Sequence, residues 1–283
     1  MSSPTSTDLL IDLALSEDLG PGDVTSRLTI PLGAQGQALI RTRAPMTVSG
    51  LKAVSKVFAR VDDQLAVELF VKDGDNLPPG ANIARVAGEA RSILAAERVA
   101  LNFLGRLSGI ATLTRRYVQA MGPGPSLLDT RKTTPGWRLW EKAAVVDGGG
   151  RNHRFGLFDG ILIKDNHIQA AGSIEKAIQD ARQGAPHGLK VEVEVDEIRQ
   201  IWPALRAEAD ILLLDNMSPE ELKVAVKETE NYFAPLAREV LLEVSGGVNL
   251  ETIRAVALTG VDFISVGAIT HSAPWVDVGL DWV

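Results

Sequence analysis

The second half of the chain repeats a pattern that few folds accommodate. Short apolar runs alternate with helical patterns, and each run ends in polar or charged residues: LLDTRK at 127–132, ILIKD at 161–165, VEVE at 191–194, ILLLD at 211–215, LLEVS at 241–245 and FISVG at 263–267. Such alternation reads as βα units that build a parallel sheet. The intervening segments carry helix signals. Ser218-Pro219-Glu220-Glu221 has the form of a capping box with proline at the first helical position, while Gly184 and Gly260 sit where a C-terminal cap is expected. At least six units fall within about 150 residues, which favours a TIM-type barrel, complete or incomplete, over an open doubly wound sheet. No glycine-rich dinucleotide fingerprint follows the first strand.

The first third is mixed. A short helical pattern covers 9–16, a turn falls at Gly20-Pro21-Gly22, strand-like segments cover 37–43 and 66–71, and Pro78-Pro79-Gly80 breaks the chain again. From Ser92 to Leu107 apolar residues recur at helical spacing, predicting a long helix that leads into a second unit, with a boundary near 108–112. A chain of 283 residues with 45% hydrophobic content can bury a sizeable core. Its net charge of −7 argues against general nucleic-acid binding, which needs a basic surface. The absence of cysteine removes disulfides, thiolate nucleophiles and cysteine-ligated metals. The start Met1-Ser2-Ser3-Pro4 shows no secretory signal, and no apolar stretch reaches the roughly 20 residues of a membrane helix, so a cytoplasmic protein is expected.

In a barrel, the polar residue that closes each strand points into the mouth at the C-terminal face, where chemistry is done. That rule selects Thr130, Arg131, Lys132, Lys164, Glu194, Asp215, Ser245 and Ser265. The same region holds a basic excess within an acidic chain: Arg131, Lys132, Arg138, Lys142, Arg151, His153, Arg154 and Lys164. A solvated charged face is the bland reading. Placement of several of these cations at strand ends favours an anion pocket, in which arginine grips carboxylate or phosphate through paired hydrogen bonds and lysine acts as a point charge. Gly148-Gly149-Gly150 is either a flexible loop or a close backbone approach to a ligand that brings His153 and Arg154 with it.

Glu194 and Asp215 close successive strands and are expected side by side, where they bind ribose hydroxyls, hold Mg²⁺ or stabilise developing positive charge. The alternative is a structural ion pair with Lys132 or Lys164. Glu192 shares their face by period two, at the same level or deeper. Ser245-Gly246-Gly247 and Ser265-Val266-Gly267 end the last two strands, where backbone N–H groups often hold a phosphate.

With these residues assembled, the chain resembles the quinolinate phosphoribosyltransferase family. The likeness runs through EDLGPGDVT at 17–25, ERVALNFLGRLSGIAT at 97–112, DTRKTTPGWR at 129–138, GGGRNHRFGLFDGILIKDNHI at 148–168, VEVEV at 191–195, LLLDN at 212–216, EVSGGV at 243–248 and ISVGAITHS at 264–272. It implies an α/β fold of the type II phosphoribosyltransferases. An N-terminal α/β sandwich would occupy 1–110 and an incomplete TIM-like α/β barrel 111–270, with the tail 271–283 packing back on the sandwich. It also implies transfer of a phosphoribosyl group from phosphoribosyl pyrophosphate to quinolinate, with loss of carbon dioxide and with Mg²⁺ as cofactor.

In that reading Arg131, His153 and Arg154 hold the two carboxylates, joined by Arg98 from the other subunit of a homodimer or higher oligomer. Lys132 and Lys164 face phosphates, Glu194 and Asp215 take the ribose hydroxyls and the metal, and Thr130 with the two glycine loops completes the substrate site. Neither nucleic acid nor membrane is a partner. Three rivals remain open at this point: a Schiff-base aldolase using Lys164, a related barrel protein associated with molybdenum transport, and a catalytically silent sugar-phosphate binder.

Overall fold

The computed structural model describes residues 6–233 and 240–283; the N-terminal Met1-Ser2-Ser3-Pro4 lies outside the described residues. Two compact units emerge. One takes in the described residues up to Arg115 with Thr133–Gly149 and Ile269–Val283, and the other Arg116–Lys132 with the described part of Gly150–Ala268.

The first unit contains helices α1 (Ser6–Leu19), α2 (Val24–Thr29) and α3 (Leu51–Val61), strands β1 (Gln35–Thr42), β2 (Met46–Thr47), β3 (Ala66–Leu69), β4 (Asn76–Leu77) and β5 (Asn82–Glu89), and most of α4 (Ala90–Met121). The last strand of the chain, β12 (Val278–Trp282), pairs antiparallel with β1, giving a sheet of order β12-β1-β5-β3. Alternate residues of β1, Ala38, Ile40 and Thr42, are buried, as a sheet with one covered face requires. Gly36 is dictated by packing, because a Cβ there would sit 2.0 Å from the Trp282 ring.

Helix α4 is longer than the periodicity of 92–107 predicts, running unbroken through 108–112. Gly109 would ordinarily weaken it, yet a Cβ at that position would lie 2.1 Å from the Pro274 carbonyl oxygen, so tertiary packing selects the glycine. Arg106, one turn earlier, donates to fully buried Glu141 and to the carbonyls of Thr270 and Ala273. Helix α5 (Arg138–Asp147), which carries Glu141, groups with this first unit.

The second unit holds six parallel strands: β6 (Ser126–Leu128), β7 (Ile161–Ile163), β8 (Val191–Val195), β9 (Ile211–Asp215), β10 (Leu241–Ser245) and β11 (Phe263–Ser265), in the order β6-β11-β10-β9-β8-β7. From β7 to β11 neighbours in sequence are neighbours in the sheet, and β11 returns to pair with β6. The ring is therefore open at one seam, between β6 and β7, as expected for an incomplete barrel. On its free edge β6 is met by Arg151, whose N–H donates to Leu127 O and whose carbonyl accepts from Asp129 N.

Helices α6 (Asp165–Ala171), α7 (Ile174–Gly184), α8 (Ile201–Arg206), α9 (Pro219–Phe233), α10 (Ile253–Ala257) and α11 (Ala268–His271) follow the strands. At the start of α9, Ser218 and Glu221 bond reciprocally, so the expected capping box forms. Gly260 takes the left-handed conformation at φ 100°, whereas Gly184 closes α7 without it and the cap falls on extended Ala185. Leu212, Leu213 and Leu214 are all buried, and so are all five residues of β8, the burial on both faces that parallel strands show. Among the described residues, no helix is long and apolar enough to cross a membrane.

Candidate active site

All eight strand-closing residues line one cavity of about 430 Å³ in the second unit, together with His153, Arg154, Gly246, Gly247 and Glu243. A volume of this size suits a small-molecule ligand. The parallel register explains the convergence: Ser245 stands opposite Asp215 and Ser265 opposite Leu128, so each strand delivers its last side chain to the same end of the sheet.

The basic island divides. Arg131, Lys132, His153, Arg154 and Lys164 line the cavity. Arg138 and Lys142 belong to α5 in the first unit, Lys142 buried there, and Arg151 is spent on the β6 edge with its guanidinium near Ser126 Oγ. Burial holds the Arg154 guanidinium below its ordinary basicity, and the nearby positive charge of Arg131 adds to that, while Glu192 and Asp159 pull the other way. Two guanidinium groups that disfavour each other at a cavity wall call for an anion between them.

At the rim the charges alternate in sign. Lys164 Nζ donates to Glu194 Oε2, so the structural ion pair named as the alternative does form. Asp215 sits above the usual carboxylate range because of burial, partly offset by Lys164 and Lys132, and Asp196 pushes it further up. Glu194, Asp196 and Asp215 each place a carboxylate oxygen within 4.8 Å of the others. An all-oxygen, anionic set of this kind fits a hard divalent cation such as Mg²⁺. Asp196 lies one residue beyond β8, past Glu194, at which the sequence pattern ends that strand.

The glycine loops differ. Gly246 and Gly247 are both left-handed, at φ 88° and 66°, and a Cβ on Gly246 would lie 2.2 Å from Asn216 Oδ1. Asn216 is itself left-handed at φ 55°, donates its N–H to Ser245 O and its side-chain amide to Asp215, and lines the cavity. Val266 is buried with its N–H committed to Leu128 O, and neither it nor Gly267 lines the cavity. The Gly148-Gly149-Gly150 run has a packing explanation at its first member: a Cβ on Gly148 would be 2.5 Å from Ala111 O. Arg98 lies exposed on α4 in the first unit.

Deeper in the barrel Glu192 and His153, both singled out in the sequence, meet Glu243, which strand-end reasoning overlooks. Glu192 on β8 and Glu243 on β10 are 5% and 2% exposed. His153 Nε2 lies 3.3 Å from Glu192 Oε2 and 3.5 Å from Glu243 Oε1. Fully buried Asp129 fixes the His153 backbone by accepting its N–H at 2.9 Å. The other ring nitrogen, Nδ1, accepts the Arg154 N–H at 2.6 Å.

Burial opposes a charged imidazolium, while Glu192 and Glu243 favour it and leave His153 above its ordinary value. A second proton on Nδ1 would confront the Arg154 N–H, however, so this geometry suits a neutral ring with its proton on Nε2, shared by both carboxylates. Burial and the negative charge of Glu192 push Glu243 up to about 7, against the smaller pull of His153 and the hydrogen bond from Ser265 Oγ. A charged residue inside an apolar strand, in step with Ser245 by period two, was the available signal for Glu243.

Comparison with known proteins converges on one family. The family model described as quinolinate phosphoribosyl transferase, C-terminal domain, matches residues 110–281, and the model of the N-terminal domain matches 23–108. A probable nicotinate-nucleotide pyrophosphorylase (carboxylating) of Bacillus subtilis is 43% identical over 268 residues, covering 94% of this chain and 89% of the relative. A quinolinate phosphoribosyltransferase (decarboxylating) of Nicotiana tabacum is 41% identical, covering 96% of this chain and 81% of its own. Among solved structures, the nicotinate-nucleotide pyrophosphorylase of Francisella tularensis superposes with a TM-score of 0.92 at 40% identity, covering 100% of this chain and 98% of that one.

Proposed function

The chain belongs to the quinolinate phosphoribosyltransferase family, and from that premise we propose that it transfers the phosphoribosyl group of phosphoribosyl pyrophosphate to quinolinate, yielding nicotinate mononucleotide, pyrophosphate and carbon dioxide in the de novo synthesis of NAD. The observation that carries this reading is the cavity itself: Arg131 and Arg154 demand an anion at one wall, and an acidic trio stands at the rim. Quinolinate has adjacent carboxylates for the arginines, and a sugar pyrophosphate has hydroxyls and phosphates for the rim.

Arg131 and Arg154 orient the pyridine ring. Arg98 of a second subunit completes the carboxylate contacts, which makes a homodimer the smallest active unit. Thr130, Lys132, Lys164 and the 245–247 turn hold phosphate oxygens. Glu194 and Asp215 accept the ribose hydroxyls and face the anomeric carbon as pyrophosphate departs and positive charge develops there. Glu194 and Asp215, with Asp196, would hold Mg²⁺, which would neutralise pyrophosphate charge. No protein nucleophile is required, because alignment of the ring nitrogen with the anomeric carbon and preorganised charge each lower such a barrier by several kcal/mol. The Schiff-base reading loses support because the Lys164 amine is engaged by Glu194. We place the reaction in the cytoplasm; a chain without cysteine has no need of an oxidising compartment.

The decisive assay incubates the protein with quinolinate, phosphoribosyl pyrophosphate and Mg²⁺ and follows nicotinate mononucleotide. Formation of product with quinolinate but not with nicotinate supports the reading. Equal use of nicotinate, or no product, refutes it.

A further inference from the structure

Replacing a ring carboxylate by hydrogen requires a proton at the carbon that loses carbon dioxide, and at the rim the Glu194 carboxylate is held in an ion pair with Lys164 while Lys164 and Lys132 hold down the proton affinity of Asp215. The floor is different. Glu243 lines the cavity, its Oε1 accepts from Ser265 Oγ, and His153 Nε2 faces it from the other side. Next to it Glu192 Oε1 is buried with no hydrogen-bond partner. A buried carboxylate oxygen without a donor, beside a second carboxylate and a neutral histidine whose one proton is already divided between them, leaves two negative charges in a buried cluster that would be relieved by taking up a proton.

The same three groups place ligand-capable atoms within 4.8 Å of one another, so a bound cation is the competing occupant. A metal on Nε2 would move the ring proton to Nδ1, where the Arg154 N–H already points, and metal-bound histidines normally donate from that second nitrogen. The geometry therefore favours a proton.

We propose that the Glu243 carboxyl group, held between Ser265, His153 and Glu192 at the cavity floor, supplies the proton that replaces carbon dioxide on the pyridine ring. This inference rests on the transferase reading above. After phosphoribosyl transfer the bond from ring carbon 2 to its carboxylate breaks, carbon dioxide leaves, and the electron pair stays on carbon 2 beside the pyridinium nitrogen. The Glu243 O–H delivers its proton to that carbon as the bond breaks, before carbon dioxide can recombine with it, leaving a carboxylate that is reprotonated from solvent before the next turnover. Burial and the negative charge of Glu192 keep Glu243 protonated up to about pH 7, while His153 and Ser265 limit how far that reaches and the Arg154 guanidinium lowers the proton affinity of His153.

The test is single-turnover analysis of wild type and Glu243→Gln with quinolinate, phosphoribosyl pyrophosphate and Mg²⁺, following pyrophosphate and carbon dioxide separately. In the variant, pyrophosphate release is expected within about threefold of wild type. Carbon dioxide release should fall about 10²-fold or more, with the undecarboxylated mononucleotide accumulating, because a positioned proton donor contributes on that order. The decline of the wild-type rate above about pH 7 should disappear.

Carbon dioxide release within about threefold of wild type overturns the proposal, as do equal losses of both products, or restoration of wild-type carbon dioxide release by added divalent cation. If Glu243→Gln does not fold, Ser265→Ala replaces it. Loss of the hydroxyl that favours the carboxylate should move the alkaline limb of carbon dioxide release to higher pH, and an unmoved limb overturns the proposal. Failure of the wild type to release pyrophosphate refutes the transferase reading instead.

Discussion

Glu192 and Glu194 stand one pleat apart on β8 and both are largely buried, yet they live in different electrostatic settings. Glu194, toward the rim, is neutralised by the Lys164 ammonium. Glu192, toward the floor, has one oxygen near His153 and another without a partner, and it raises the proton affinity of Glu243. A few ångströms of depth thus convert a carboxylate from a charge that balances cations into part of a group that keeps a proton. The Lys164 ammonium compensates Glu194 at the rim, whereas on the floor burial is the largest influence on Glu243.

The strongest test of the rim is Arg131→Ala, expected to weaken quinolinate binding by about 30-fold to several thousandfold, since removing one partner of a desolvated charge pair costs about 2–5 kcal/mol. Unchanged affinity by calorimetry would remove Arg131 from the carboxylate site. Next comes Asp215→Asn, predicted to lower turnover about 10²-fold and to weaken its Mg²⁺ dependence while quinolinate affinity changes little. A variant with normal turnover and normal metal dependence would place Asp215 outside the charge-stabilising set. Gly246→Ala forces a Cβ toward Asn216 in a left-handed turn. A strain of about 1–3 kcal/mol should raise the phosphoribosyl pyrophosphate KM roughly tenfold, and an unaltered KM would argue that the 245–247 turn does not hold that substrate.

The smallest effect concerns the floor. The folded protein keeps a proton on Glu243 up to about pH 7, whereas the unfolded chain releases it near the ordinary 4.5. The folded state therefore binds more protons in that window, and stability declines as pH rises through it. Glu243→Gln should abolish this component, so wild type should lose roughly a few degrees of Tm relative to the variant as the pH rises from about 4.5 to about 7. Parallel pH profiles for the two proteins would mean that Glu243 is ionised throughout.

Much of the rim was legible in the sequence, because a polar residue that ends an apolar strand is conspicuous and a parallel sheet sends all such residues to one end. The floor was not. Glu243 sits inside LLEVS, where strand-end logic discounts it, and Asp129 precedes the residues that logic selects. Both act through depth and through Asp129 holding the His153 backbone, features that only a folded barrel creates. Charge clustering in sequence was misleading where the chain leaves the barrel: Arg138 and Lys142 are in the basic run but belong to α5 in the first unit. Likewise Gly148 and Gly109 are glycines because backbone oxygens crowd them, a constraint set by partners distant in sequence.

The pairing of β11 with β6 and of β12 with β1 has a kinetic implication. The four-stranded and six-stranded sheets are each finished by a strand far downstream of its partner, so a growing polypeptide carries two unsealed edges until residues 263–282 are available. Late, long-range closure of this sort is slow and leaves exposed strand edges open to association with other chains. Truncation before residue 263 should therefore impair soluble yield of both units together, even though most of each lies upstream of the cut.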